Sequence, residues 1–179
     1  MGDVKLLLAR HGETIENIAN VLQGHLPGKL SKLGLRQAEL LADKLDNIHL
    51  DNVVCSDLKR SYDTAKVIAD RHSLIPIPTP LLKEMDWGVY TGQNMINVDW
   101  ENLPSDVEST SALLNRAKLF LNYIRINFRN QTVVAVGHGA FNRAIEIAFR
   151  GEESSEMINL PIMKNATYNK YILKNKIIL

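Results

Sequence analysis

VKLLLARHGET, residues 4–14, decides how this chain is read. Its first half is a short, nearly unbroken apolar run, the pattern of a strand buried on both faces. The run stops at Arg10-His11-Gly12, where two polar residues and a glycine mark an exit from strand to loop. The same design recurs twice. NVVCS at residues 52–56 reads as a buried strand ending at Ser56-Asp57, and TVVAV at residues 132–136 is the strongest strand, ending at Gly137-His138-Gly139.

Helical spacing fills the gaps. From Ser31, read as an N-cap, Leu33, Leu35, Ala38, Leu41, Ala42 and Leu45 recur at helical intervals. A second helix is expected over residues 58–72 on Ala65, Ile68 and Ala69, and a long one over 108–127 on Leu113, Leu114, Ala117, Leu121 and Ile124. A fourth follows His138 to about Phe149. Pro76, Pro78 and Pro80 leave room for only a short strand or extended loop over residues 75–83. Residues 85–106, with Gly88, Gly92 and Pro104, read as irregular, and TYNKYIL followed by KNKIIL reads as a closing antiparallel hairpin. Alternating strands and helices predict an α/β fold, a three-layer sandwich with a mainly parallel central sheet and helices on both faces. It is expected as one domain over residues 1–179, with a short cap insertion at about 86–107. In such sheets ligands sit outside the carboxyl ends of the strands. Three of those ends carry Arg10-His11, Ser56-Asp57 with Arg60 one turn on, and His138.

The bulk numbers exclude several classes. With 179 residues, 45% apolar and 23% charged, the composition is that of a soluble globular domain. A net charge of +1 gives no global field for nucleic acid or an acidic membrane, so neither is expected as a partner. Cys55 is the only cysteine, which excludes an intrachain disulfide. Val4 to Ala9 is too short for a signal sequence, Leu6 breaks a myristoylation motif, and no apolar run approaches the ~18 residues of a membrane span. The expectation is a cytoplasmic, soluble monomer or homodimer. Anion recognition must then come from local donors.

The strand ends supply them. A phosphate monoester needs bidentate cationic donors, an in-line nucleophile and an acid for the leaving alcohol. Arg10 and Arg60 offer guanidinium forks, His11 and His138 offer imidazoles, and Glu84 is a carboxyl in the right region. Taken together, the segments resemble the histidine phosphatase superfamily, the phosphoglycerate-mutase-like enzymes. ARHGET at residues 9–14 is similar to its signature, and LSKLGLRQAELLADKL at 30–45 to its first long helix. VVCSDLKRSYDTAKVIA at 53–69, LLKEMDWGVYTG at 81–92 and VVAVGHGAFNRAI at 133–145 resemble its later segments, in the family's order. Glu108-Ser109 followed by Arg116 resembles its cap-to-helix pattern.

The resemblance implies His11 as nucleophile, forming a phosphohistidine, with Glu84 as the acid and then the base. It implies Arg10, Arg60 and His138 on the phosphoryl oxygens, and Asn17, Gln23, Gly24 and Gly139 at substrate-binding positions. The partner it implies is a small phosphorylated substrate; no cofactor and no metal are implied. Size and cap resemble the alpha-ribazole phosphatase branch and the broad-specificity small-molecule phosphatases. A phosphoglycerate mutase and an inactive phospho-ligand-binding module are the competing readings. Several residues depart from the family's pattern: His25-Leu26-Pro27-Gly28-Lys29 lacks the usual acidic residue, Cys55 and Gly137 stand where Ser is common, and Val89-Tyr90 replaces Trp-Glu. His49 and His72 are expected to be solvated and Cys55 to be a small buried strand residue. His25, Trp87, Tyr90 and Trp100 are candidates to line the pocket. Lys164, Lys170, Lys174 and Lys176 read as a solvated face, with Tyr168 and Tyr171 on opposite sides of a strand.

Overall fold

In the computed structural model, which describes residues 2–174, the apolar runs form one five-stranded sheet. Its strands are β1 (Val4–Arg10), β2 (Asn52–Ser56), β3 (Ile77–Thr79), β4 (Thr132–Gly137) and β5 (Tyr168–Leu173), in the order β3-β2-β4-β1-β5. All neighbouring strands are parallel except β5, which lies antiparallel on the β1 edge. The tail thus pairs with the first strand; the second half of the expected hairpin lies outside the described residues.

Helices α2 (Lys32–Leu45) and α3 (Lys59–Arg71) cover one face, and α4 (Thr110–Asn127) and α5 (Gly139–Arg150) the other. Strand side chains alternate between the two. Leu6, Leu8, Val133 and Ala135 join the α4/α5 core, while Leu7, Ala9, Val134 and Val136 join the α2/α3 core. Tyr171 and Tyr168 divide in the same way, on opposite faces of β5 as expected.

Helix α2 corrects one reading. Leu33 and Leu35 are half exposed (52% and 50%), and the buried stripe is Gly34, Ala38, Leu41, Ala42 and Leu45. A helix advances 100° per residue, so Leu33 and Leu35 flank Gly34 on either side of the stripe. Gly34 itself cannot carry a side chain: a Cβ there would sit 1.9 Å from the Glu13 carbonyl oxygen. The one-turn helix α1 (Ile15–Ile18) was not foreseen. A capping box builds it, with Thr14 and Asn17 exchanging side-chain and backbone hydrogen bonds.

Between β3 and α4 the chain makes short 3₁₀ turns at Pro80–Leu82, Gly88–Tyr90 and Met95–Asn97. The last two are stitched to the loop after α1. Leu22 N–H donates to the Gln93 carbonyl, Gly92 N–H to that of Leu22 and Met95 N–H to that of Asn20. The irregular stretch therefore lies against the loop that leaves the β1 exit. Among the described residues no helix is long and apolar enough to cross a membrane.

Candidate active site

The register of β1 against β4 places Arg10 opposite Gly137, so the two strands end level. The next residue on each is a histidine. His11 N–H donates to the Gly137 carbonyl at 3.1 Å, and the two imidazole centroids stand 5.1 Å apart at 60°. Two histidines 127 positions apart in the chain are thus neighbours because parallel pairing aligns their strand ends.

The loop beyond β1 is held tightly. A Cβ on Gly12 would lie 2.4 Å from the Gly34 carbonyl oxygen, so glycine is required where the loop crosses the start of α2. Gly12 N–H donates to Thr64 Oγ1 at 3.1 Å, and that hydroxyl donates to the Arg60 carbonyl, tying the loop to α3.

His11 is 2% exposed, and its Nδ1 lies 2.7 Å from the Gly12 carbonyl oxygen. A carbonyl only accepts, so Nδ1 carries the proton and neutral His11 presents an Nε2 lone pair. Burial first, then the Arg60 and Arg10 cations, hold His11 well below the ordinary 6.5. His138 is fully buried and is lowered in the same way, by burial, then by Arg60, His11 and Arg10. Both ring nitrogens of His138 are buried without a hydrogen-bond partner among the described residues.

Arg60, 1% exposed, donates through Nη2 to the Gly24 carbonyl at 3.0 Å and through Nη1 to the Leu26 carbonyl. Burial brings its pKa down to about 10, against the opposing pull of Glu84, so it stays cationic at neutral pH. Gly24 (φ +48°) and Gly28 (φ +65°) shape this loop. A Cβ on Gly28 would meet Gln23 Oε1 at 2.4 Å and Arg60 Cδ at 2.8 Å. Gln23 is buried at 6% and its Oε1 has no partner among the described residues. Arg10 donates through Nη1 to the Met163 carbonyl at 2.7 Å, and burial lowers its pKa against the pull of Glu84.

Glu84 sits at the start of α5. Its Oε1 accepts from Phe141 N–H and Met85 N–H, both at 2.9 Å, and its Oε2 from Ala140 N–H at 3.2 Å. A helix N-terminus offers unpaired N–H donors and suits an acidic side chain. The Glu84 turn is riveted from behind by Arg116. That guanidinium makes a bidentate pair with Glu108 (3.1 and 2.7 Å) and donates to the carbonyls of Lys83 (2.6 Å) and Glu84 (3.2 Å). The Glu108 and Arg116 pattern seen in the sequence is therefore a brace for the loop bearing Glu84.

The structure thus gathers Arg10, His11, Arg60, Glu84, His138 and Gly139 at one rim. A Cβ on Gly139 would stand 3.5 Å from the Arg10 guanidinium carbon. Asn17 lies near the same loop, with its Oδ1 used by the Thr14 cap. His25 is on the Glu84 side, its Nε2 donating to the Glu84 carbonyl at 3.0 Å. Trp87 and Tyr90 pack against the α4/α5 core, and Trp100 stacks edge-on upon Trp87 at 5.8 Å. Cys55 is fully buried, its thiol pushed up to about 12 by burial and Asp57. His72, expected to be solvated, is half-buried where α3 ends, and His49 is exposed beside Asp51. Lys164, Lys170 and Lys174 are exposed, and Lys176 lies outside the described residues.

One wall escaped the sequence reading. Residues 160–167 run past the site, fastened by Arg10 at Met163, by Arg143 Nε at the Leu160 carbonyl (2.8 Å) and by Ala166 N–H at the Arg10 carbonyl (3.1 Å). Nothing in LPIMKNAT announces a site; these contacts use main-chain carbonyls and amides, which every residue carries.

Among known proteins, the model of the histidine phosphatase superfamily (branch 1) matches residues 6–176. The chain belongs to that superfamily. The expected fold and the phosphatase class of enzyme hold with it. Phosphoserine phosphatase 1 of Hydrogenobacter thermophilus is 35% identical over 93% of this chain and 85% of its own length. A probable phosphoglycerate mutase of Yersinia pestis is 40% identical, but over only 48% of this chain and 40% of its own length. Among solved structures, a mycobacterial glucosyl-3-phosphoglycerate phosphatase complexed with VO3 superposes with TM-score 0.86 at 26% identity, covering 93% of this chain and 91% of that one.

Proposed function

We propose that this histidine phosphatase is a metal-independent, cytoplasmic hydrolase of small-molecule phosphate monoesters, working through a phosphohistidine on His11. One observation carries the reading: His11 Nδ1–H is pinned to the Gly12 carbonyl, so the Nε2 lone pair is free to attack beside His138 and two arginines. Nε2 forms a bond to phosphorus as the ester P–O bond breaks, and Glu84 gives its proton to the leaving alcohol oxygen. Water then attacks phosphorus, the N–P bond breaks, and the water proton passes to the Glu84 carboxylate, releasing inorganic phosphate. Arg10, Arg60, His138 and Asn17 hold the phosphoryl oxygens, with Gly139 at the helix start and Gln23 and Gly24 on the substrate side. Two guanidinium groups supply the charge stabilisation that metal ions give elsewhere.

The ester is a phosphorylated small polar alcohol: phosphoserine, a sugar phosphate or alpha-ribazole phosphate. The relative named as a phosphoserine phosphatase, matched over most of both chains, supports the first. The part-length mutase relative favours a second reading, interconversion of phosphoglycerates. Residues 85–109 argue against it, because short turns laid on the loop after α1 leave little chain to shield a phosphoenzyme from water. A phosphate-release screen over these esters tests the proposal, with EDTA leaving rates unchanged. Glu84→Gln with an activated aryl phosphate should accumulate label on the His11 peptide, and His11→Ala should abolish both label and turnover. Activity surviving in His11→Ala, or fast 2- and 3-phosphoglycerate interconversion without phosphate release, overturns it.

A further inference from the structure

Asn165 lies on the turn before β5, more than a hundred residues from the signature loop, yet its side-chain amide meets that loop twice. Nδ2 donates to the main-chain oxygen of His11 at 3.0 Å and lies 3.4 Å from Oδ1 of Asn17. Backbone groups fix which amide atoms these are. The His11 carbonyl can only accept, so the Asn165 atom facing it is nitrogen. Thr14 N–H can only donate, so the Asn17 atom 3.1 Å away is oxygen. With that oxygen taken by two donors, the planar Asn17 amide must turn its own NH₂ the other way. The clamp is continuous with the main chain: Ala166 N–H donates to the carbonyls of Arg10 (3.1 Å) and His11 (3.3 Å).

We infer that Asn165 is a positioning residue for phosphoryl transfer, locking Asn17 so that it presents N–H donors, not its oxygen, to a phosphoryl oxygen. The inference rests on the site proposed above. Without Asn165 the Asn17 oxygen keeps a single donor, Thr14 N–H, and the amide is freer to swing or to turn an acceptor toward an anion, which loses the bond and adds repulsion. The Asn165 donor thus reaches the phosphate through Asn17, while its bond to the His11 carbonyl steadies the signature loop.

A double-mutant cycle tests this. Binding of orthovanadate, a mimic of the five-coordinate phosphorus, is measured as competitive inhibition of aryl phosphate hydrolysis. Asn165→Leu keeps the size and removes the donor without adding charge; Asn165→Ala removes the side chain. Each should weaken vanadate about tenfold, the scale of one charge-assisted hydrogen bond. Asn17→Ala should do the same, and adding either Asn165 change to it should cost much less than it costs in the parent. Melting temperatures separate this from general loosening, which would act equally in both backgrounds. Unchanged vanadate affinity in both Asn165 variants, with Asn17→Ala weakened, sinks this inference alone, as do additive losses in the double variants. Unchanged affinity in Asn17→Ala removes the reading of the site beneath it.

Discussion

At the scale of single residues, the site is made by what glycines leave out as much as by what charged groups bring. Gly28 lies under the Arg60 side chain at φ +65°, with Gln23 Oε1 and Arg60 Cδ inside the space a methyl would need. Gly28→Ala therefore strains the backbone and pushes the Arg60 guanidinium off the Gly24 and Leu26 carbonyls. The expected result is a loss of kcat/KM of about tenfold or more, the weight of a displaced bidentate donor, beyond any fall in melting temperature. Steady-state kinetics beside a thermal melt would check it; a melt lowered with kcat/KM intact would contradict the role given to Gly28. Gly137 follows similar logic. A Cβ there would stand 2.3 Å from Asn142 Oδ1, so the serine common in the family has no room while Asn142 donates to the Ala9 carbonyl.

Elements place those residues, and they differ in how openly the sequence announced them. β1, β2 and β4 were legible because both faces are buried, which leaves apolar runs such as VVAV. Their ends were legible because Arg10, His11 and His138 break those runs with chemistry that a packed core does not need. Helix α1 was hidden: four residues carry no periodicity, and of its capping pair Asn17 was read only as a substrate-binding position and Thr14 only as the end of the signature. The wall at residues 160–167 was hidden more deeply: its Leu160, Met163 and Ala166 contacts are main-chain and leave no mark on residue type, and a lone Asn165 is ordinary in a turn. Ser31 shows how a cap can be legible while its second duty is not. It caps α2 by accepting from Gly34 N–H at 2.9 Å, as expected, but also donates to Glu13 Oε1 at 2.7 Å and ties the signature loop to the helix. Ser31→Ala removes both bonds. It should cost about 1–2 kcal/mol and lower the melting temperature by about 3–6 °C, with turnover well below the melt little changed. A thermal melt that does not move would show that the cap carries no weight.

Over the whole molecule, burying two neutral imidazoles between two arginines links the fold to pH and to its ligand. In the folded chain the pKa values of His11 and His138 lie well below 6.5, while in the unfolded chain they sit near that value. Below pH 6.5 the unfolded chain therefore binds more protons, and stability falls as the solution is acidified. The contribution is complete above about 6.5 and is lost progressively toward the lowered folded values, at about 1.4 kcal/mol per pH unit for each group. Carboxylates add their own slope in acid, so the informative quantity is a difference between proteins. His138→Gln replaces one of the two groups with a neutral amide, and its unfolding free energy between pH 6.5 and 5 should fall less steeply than the parent's by about that amount. A bound oxyanion acts in the opposite direction, because its negative charge favours a proton on His138. Saturating vanadate should flatten the parent's pH dependence and leave that of His138→Gln nearly unaltered. Urea titrations of both proteins at several pH values, with and without vanadate, measure all four slopes. Equal slopes for parent and His138→Gln would mean that His138 takes up its proton at the same pH folded and unfolded, and a parent less steep than the variant would mean that it is already protonated in the folded chain. In either case the lowering of the His138 pKa by burial and the two arginines would be absent.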